Sequence, residues 1–175
     1  VLAKNAWTTV TKADFDAEIE RIPENQRFTF LSSAERVAQT LDRPAIDGGT
    51  VFAVGHAGRM VATNATTGER LWSLNIPGIQ TPCVAGDTVY VVDTSGRLMA
   101  LSRADGKTRW TANLPDARTW SGPVLAGNTL WLASSKGRLV GVDAATGTVG
   151  NAVELGEPVY IPPVVAQGRM FVLTD

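Results

Sequence analysis

Cysteine and histidine are almost missing from this chain: 175 residues hold one of each. A disulfide framework is excluded, as is a Cys/His zinc site built within one chain. Neither sign of charge is in excess, with 16 Lys+Arg against 17 Asp+Glu and a net charge of −1. A nucleic-acid or anionic-membrane surface needs a basic surplus that this chain lacks. No apolar run approaches the ~20 residues of a membrane span. The start, Val1-Leu2-Ala3-Lys4, has no apolar stretch or cleavage site, so an export signal is missing or already removed. Glycine is absent from the first 43 residues, and all 17 glycines fall after them.

What is present divides into two compositions. Residues 1–43 carry 13 charged positions, whereas the remaining 132 carry only 20. A step in glycine and charge content marks a domain boundary, placed here at Arg43-Pro44 because the residue before proline resists helical dihedrals. The first segment reads as two short helices. Thr11 and Asp14 lead into Phe15, Ile19 and Ile22, and Pro23-Glu24-Asn25 breaks the run. Ser32 and Glu35 form a capping box ahead of the stripe Ala34, Val37, Ala38 and Leu41.

Residues 44–175 repeat. Thr50-Val51-Phe52-Ala53-Val54 returns as Thr88-Val89-Tyr90-Val91-Val92, as Thr129-Leu130-Trp131-Leu132-Ala133 and as Arg169-Met170-Phe171-Val172-Leu173. The spacings, read from those positions, are 38, 41 and 40 residues. Pro44, Pro82, Pro123 and Pro163 keep the same register. Gly58-Arg59, Gly96-Arg97 and Gly137-Arg138 keep it too, as do Gly68, Gly106 and Gly147. Within one unit, Val51 to Val54, Arg59 to Thr63, Glu69 to Leu74 and Gln80 to Val84 read as four strands separated by glycine turns. A period near 40 with four strands per unit is a β-propeller blade. The expected fold is mainly β: about three and a third blades after a two-helix segment. Propellers close with roughly four to eight blades, so the chain reads as a fragment or incomplete product. Its open edges are expected to make it self-associate.

The stretch from Ala62 to Trp72, with Thr67, Gly68 and the closing Trp, resembles the tryptophan signature of quinoprotein-like (pyrroloquinoline-quinone-type) propellers. Ala100 to Trp110 repeats it. The third unit keeps Asp143, Thr146 and Gly147 but has Asn151 in place of the Trp and Gly141 in place of the Ala. Gly58-Arg59-Met60-Val61-Ala62, Gln80-Thr81-Pro82 and Pro158 to Val165 are most similar to the BamB-type outer-membrane assembly lipoproteins of Gram-negative bacteria. That resemblance implies a non-catalytic periplasmic scaffold that meets protein subunits of the barrel-assembly machinery. It also implies a lipid anchor, for which no residue here matches, and no cofactor. Thr11 to Arg43 faintly resembles the amino-terminal segment of periplasmic parvulin-type prolyl isomerases.

Candidate chemistry is sparse. His56 shares a turn register with Thr94 and Ser135, and Cys83 shares a strand register with Val124 and Val164; both read as structural. Trp72 and Trp110 are expected to stack between blades. Arg59, Arg97 and Arg138 share one turn register. Trp120, with register mates Ile79 and Tyr160, lies where a blade begins, and Arg118 stands two residues before it. Arg118, Trp120 and Tyr160 are candidate partner-binding residues, since aromatics and arginine dominate binding hot spots; burial of Trp120 at the central channel is the other reading. The chemical alternatives are a quinone-dependent dehydrogenase fragment and, through residues 1–43, a prolyl isomerase remnant.

Overall fold

The computed structural model describes residues 44–55, 58–115 and 119–174. The helical segment expected over 1–43, His56 and Arg118 lie outside the described residues. Three four-stranded antiparallel sheets follow one another along the chain. The first contains β1 (Ala45–Asp47), β2 (Thr50–Gly55), β3 (Arg59–Asn64) and β4 (Arg70–Leu74). The second contains β5 (Cys83–Ala85), β6 (Thr88–Val92), β7 (Arg97–Ser102) and β8 (Thr108–Asn113). The third contains β9 (Val124–Ala126), β10 (Thr129–Ala133), β11 (Arg138–Asp143) and β12 (Val149–Glu154). A two-stranded piece, β13 (Val164–Ala166) with β14 (Arg169–Phe171), ends the described residues.

Each sheet is a meander in sequence order, which is the blade of a propeller. The blade boundaries differ from the sequence reading in one respect. Gln80 to Val84 was expected to close the first unit, but Cys83–Ala85 opens the second sheet, with Ala85 opposite Thr88 and Cys83 opposite Tyr90. Only Gly86-Asp87 separates these strands, and a two-residue loop forces a hairpin. Ala45–Asp47, opposite Thr50 to Phe52, is accordingly the first strand of blade 1. With β13 and β14 both present, the fourth unit is half a blade, so the described residues hold three and a half blades.

Packing explains why β6 shows no alternation. All five of its residues are buried, because both faces of its sheet are covered. Val89 and Val91, with Met99 and Leu101, pack against Phe52, Val54, Met60, Ala62 and Trp72 of blade 1. Tyr90 and Val92, with Leu98 and Ala100, pack against Leu130, Leu132, Val140 and Val142 of blade 3. A middle blade therefore reads as a continuous apolar run, as strands buried on both faces do.

A register shift recurs between the third and fourth strands of all three blades, at Ala62/Thr63, Ala100/Leu101 and Val140/Val142. Such bulges re-aim the neighbouring side chain. Here each of the first two falls beside a tryptophan, since Ala62 faces Trp72 and Ala100 faces Trp110 across the ladder.

Candidate functional site

The blade signature forms a joint between blades. The turn after β3 is held by its first residue, where Asn64 Oδ1 accepts the N–H groups of Thr66 at 2.9 Å and Thr67 at 3.0 Å. Asp143 does the same in blade 3, accepting from Ala145, Thr146 N and Thr146 Oγ1. In blade 2, Ser102 takes this place and Asp105 Oδ1 accepts from Lys107 N at 3.2 Å. Each turn closes on its glycine, as Gly68, Gly106 and Gly147 donate to Asn64, Ser102 and Asp143 carbonyls.

The preceding blade's tryptophan docks on this turn. Trp72 Nε1 donates to Arg103 O at 2.9 Å, and Trp110 Nε1 donates to Ala144 O at 3.1 Å. Tyr90 Oη donates to the same Ala144 carbonyl at 3.2 Å. Gly106 and Gly147, at φ +74° and +75°, lie beneath the rings. A methyl group on Gly106 would come within 3.0 Å of Trp72, and one on Gly147 within 2.6 Å of Trp110. The signature thus pairs a bare glycine with an indole one blade earlier. A buried tryptophan removes about 150–250 Å² from water, worth on the order of 4–6 kcal/mol as an upper estimate.

Blade 3 departs from this pattern in three linked positions. Phe52, Ala62 and Trp72 in blade 1 correspond to Tyr90, Ala100 and Trp110 in blade 2. Within each set the two aromatic rings stand 5.9 Å apart. In blade 3 the set is Trp131, Gly141 and Asn151. The large ring has moved to the second strand, and Gly141 makes room for it, since a Cβ there would meet Trp131 Cζ3 at 3.1 Å. Asn151 is exposed, and a shallow cleft of about 370 Å³ lies over Trp131, Gly141 and Asn151. The sequence shows the two losses at 141 and 151; the compensation by Trp131 emerges only from the packing.

The opposite end of each blade carries the other candidates. Connections between blades return to the turns that join the second and third strands. Leu114 N donates to Gly96 O, Leu155 N to Gly137 O and Ser135 N to Thr119 O. Gly137 has no Cβ where Glu157 O approaches, 2.6 Å from the position a Cβ would take. Gly58 and Gly96 hold the same turn place in their blades. Trp120 bridges to Ser134 and is 3% exposed, so it lies in the core between blades 2 and 3. Its Nε1 has no hydrogen-bond partner among the described residues. Tyr160, in the next connection, is 53% exposed and offers its ring at the surface. Of the two candidates among the described residues, Tyr160 lies at the surface and Trp120 in the core.

Charged groups are engaged within and between blades. Asp93 Oδ1 accepts from Ser95 N, Ser95 Oγ and Arg97 N, and Oδ2 from Arg97 Nε at 2.8 Å. Burial would raise its pKa, but the bonds from Ser95 and Arg97 outweigh that and hold the carboxyl below its usual range. Arg138 pairs with Glu154 at 2.8 Å. Arg103, which sequence reasoning did not single out, spans blades 1 and 2. Its guanidinium bonds the Asp47 carboxylate, donates to Asp47 O at 2.6 Å and to Gly86 O at 3.1 Å, and lies 6.0 Å from the Phe52 ring centre. Burial pushes the Cys83 thiol pKa up, which favours the unreactive thiol form. Among the described residues no three His, Cys, Asp or Glu side chains group as a metal site. The arrangement is suited to holding blades together and presenting loops.

Comparison with known proteins agrees with this geometry. The sequence profile of the family described as outer membrane protein assembly factor BamB matches residues 24–112 and 104–175. No curated protein matches the chain in sequence. Among solved structures, BamB from Moraxella catarrhalis is similar at a TM-score of 0.65 and 21% identity, over 75% of this chain and 42% of that one. The chain thus spans about two fifths of that relative's length. The computationally designed Ika4 protein is similar at 0.63 and 12% identity, over 77% of this chain and 90% of that one. Quinohemoprotein alcohol dehydrogenase from Comamonas testosteroni is similar at 0.54 and 18% identity, over 65% and 21%. These likenesses establish the propeller fold. With its repeated signature, its docked tryptophans and a profile match running from residue 24 to the last, the chain belongs to the family of the outer membrane protein assembly factor BamB.

Proposed function

We propose that the chain is a non-catalytic interaction segment of a periplasmic propeller that serves outer-membrane barrel assembly. The family match over residues 24–112 and 104–175 is the observation that carries this reading. The geometry supports it. Repeated polar and aromatic residues are engaged in turns and joints, while Tyr160 and Ile161, 53% and 49% exposed, stand on a connection between blades. Exposed aromatics of this kind anchor protein interfaces. The protein partners are subunits of the barrel-assembly machinery, and any membrane association comes from a lipid anchor on the whole protein. The same reading includes self-association, supported by the exposed apolar side chains Val153, Val164, Phe171 and Leu173.

A photo-crosslinking amino acid at Tyr160 tests it in the periplasm of a Gram-negative host, with one at Glu69 on the opposite rim as the control. Crosslinking of an assembly subunit from Tyr160 and not from Glu69 is expected. Equal or absent crosslinking at both sites would remove the reading. The dehydrogenase alternative has the propeller likeness to the quinohemoprotein in its favour. A calcium-dependent change in quinone absorbance on reconstitution would establish it instead.

A further inference from the structure

We propose that Asp47, Phe52 and Arg103 form a recognition set that fits blade 1 to the turn of blade 2 and rejects the turn of blade 3. This inference is independent of the scaffold reading. The contact of tryptophan on glycine is common to the blade 1–blade 2 joint and the blade 2–blade 3 joint, so it does not tell one neighbour from another. Three other positions do. Asp47, opposite Thr50 in its hairpin, stands where Ala85 and Ala126 stand opposite Thr88 and Thr129. Arg103 stands in its turn where blades 1 and 3 have Ala65 and Ala144. Phe52 stands where blade 2 has Tyr90, and each ring lies 5.9 Å from the tryptophan of its own blade.

These differences make two matched sets. At the first joint Arg103 bonds the Asp47 carboxylate, donates to Asp47 O at 2.6 Å and Gly86 O at 3.1 Å, and lies over the Phe52 ring at 6.0 Å. An arginine at that range is attracted to an aromatic face. At the second joint both charges are replaced by alanine, and Tyr90 Oη donates to Ala144 O at 3.2 Å. Mixed sets lose on both sides. Blade 1 docked on the turn of blade 3 would leave Asp47 without its cation and the Ala144 carbonyl without its tyrosine donor. Blade 2 docked on a turn carrying Arg103 would offer Ala85 in place of the carboxylate. Unpaired charges and unmet donors are what reject a wrong partner. Blades that share one non-directional apolar contact need such a device, because misassembly between repeats is their characteristic failure.

Urea unfolding of the full 175-residue chain tests the sets by converting the first joint to the residues of the second. Phe52→Tyr alone adds a hydroxyl to a fully buried ring beneath the guanidinium. It is expected to raise the unfolded-to-folded ratio about fivefold. In an Asp47→Ala, Arg103→Ala background the same change lowers that ratio about threefold, because the hydroxyl then donates to the carbonyl of residue 103. The same sign in both backgrounds would overturn the proposal. Amide hydrogen exchange in the unaltered chain guards against variants that do not fold. Between about 0.05 and about 0.5 M NaCl, exchange at β1–β2 quickens about threefold while that at β9–β10 holds steady. An equal response at the two places would also overturn it.

Discussion

Trp110 lies on Gly147. A methyl group added to that glycine would sit 2.6 Å from Trp110 Cε3, and the backbone there has φ +75°. The same relation, at 3.0 Å, joins Trp72 to Gly106. A side chain at positive φ costs about 1–2 kcal/mol and overpacking a further 1–3. Gly147→Ala is expected to destabilise the chain by about 2–4 kcal/mol, and Gly106→Ala by less, in urea unfolding followed by tryptophan fluorescence. Equal costs at the two sites would show that backbone strain alone is at work.

The two indoles of the second blade-to-blade core, Trp110 partly buried and Trp120 buried, should respond differently to loss of their N–H. Trp110 Nε1 is bonded to Ala144 O, whereas Trp120 Nε1 is buried without a partner among the described residues. Trp110→Phe leaves the Ala144 carbonyl with one donor fewer and should cost about 1–2 kcal/mol. Trp120→Phe removes an unsatisfied donor, so its loss of ring volume is partly offset and it should cost less than Trp110→Phe. A larger cost at Trp120 in thermal unfolding would contradict the assignment.

Gly141 and Trp131 should be coupled. Gly141 has no positive φ, so alanine suits its strand, yet a Cβ there would meet Trp131 at 3.1 Å and Thr129 at 3.0 Å. Gly141→Ala alone is expected to destabilise by about 1 kcal/mol. In a Trp131→Tyr background, which restores the aromatic of blade 2, it should be neutral or stabilising, a coupling of about 1–2 kcal/mol. Additive effects would mean that the glycine is unrelated to the displaced tryptophan.

Asp93 makes stability depend on acid. Its carboxyl is held below the ordinary 3.8 by Ser95 and Arg97 against the opposing effect of burial. A depressed folded-state pKa stabilises above the unfolded value and is lost as pH falls through the folded one. The stability difference between the parent and Asp93→Asn should be full at neutral pH and shrink below about pH 4. A difference unchanged down to pH 2 in urea titrations would exclude this role.

Much of the blade architecture was legible in the chain because glycines and prolines recur in register with β-branched runs. The strand assignment failed at Gln80 to Val84, where an apolar run can pair backward or forward. The deciding feature was the two-residue Gly86-Asp87 loop, which leaves Cys83–Ala85 no partner but β6. Trp120 was readable as surface or core, since register alone does not say whether a connection turns inward; its bridge to Ser134 draws it in. The contribution of Arg103 was invisible because no other blade repeats it: Ala65 and Ala144 hold its place.

The central claim is that the signature tryptophans and glycines act as pairs across blade joints. A double-mutant cycle of Trp110→Leu with Gly147→Ala, read by urea unfolding, tests it most directly. The account predicts that Gly147→Ala costs at least about 1 kcal/mol less once Trp110 is leucine, because the ring it strikes has gone. The same cost in both backgrounds would contradict it.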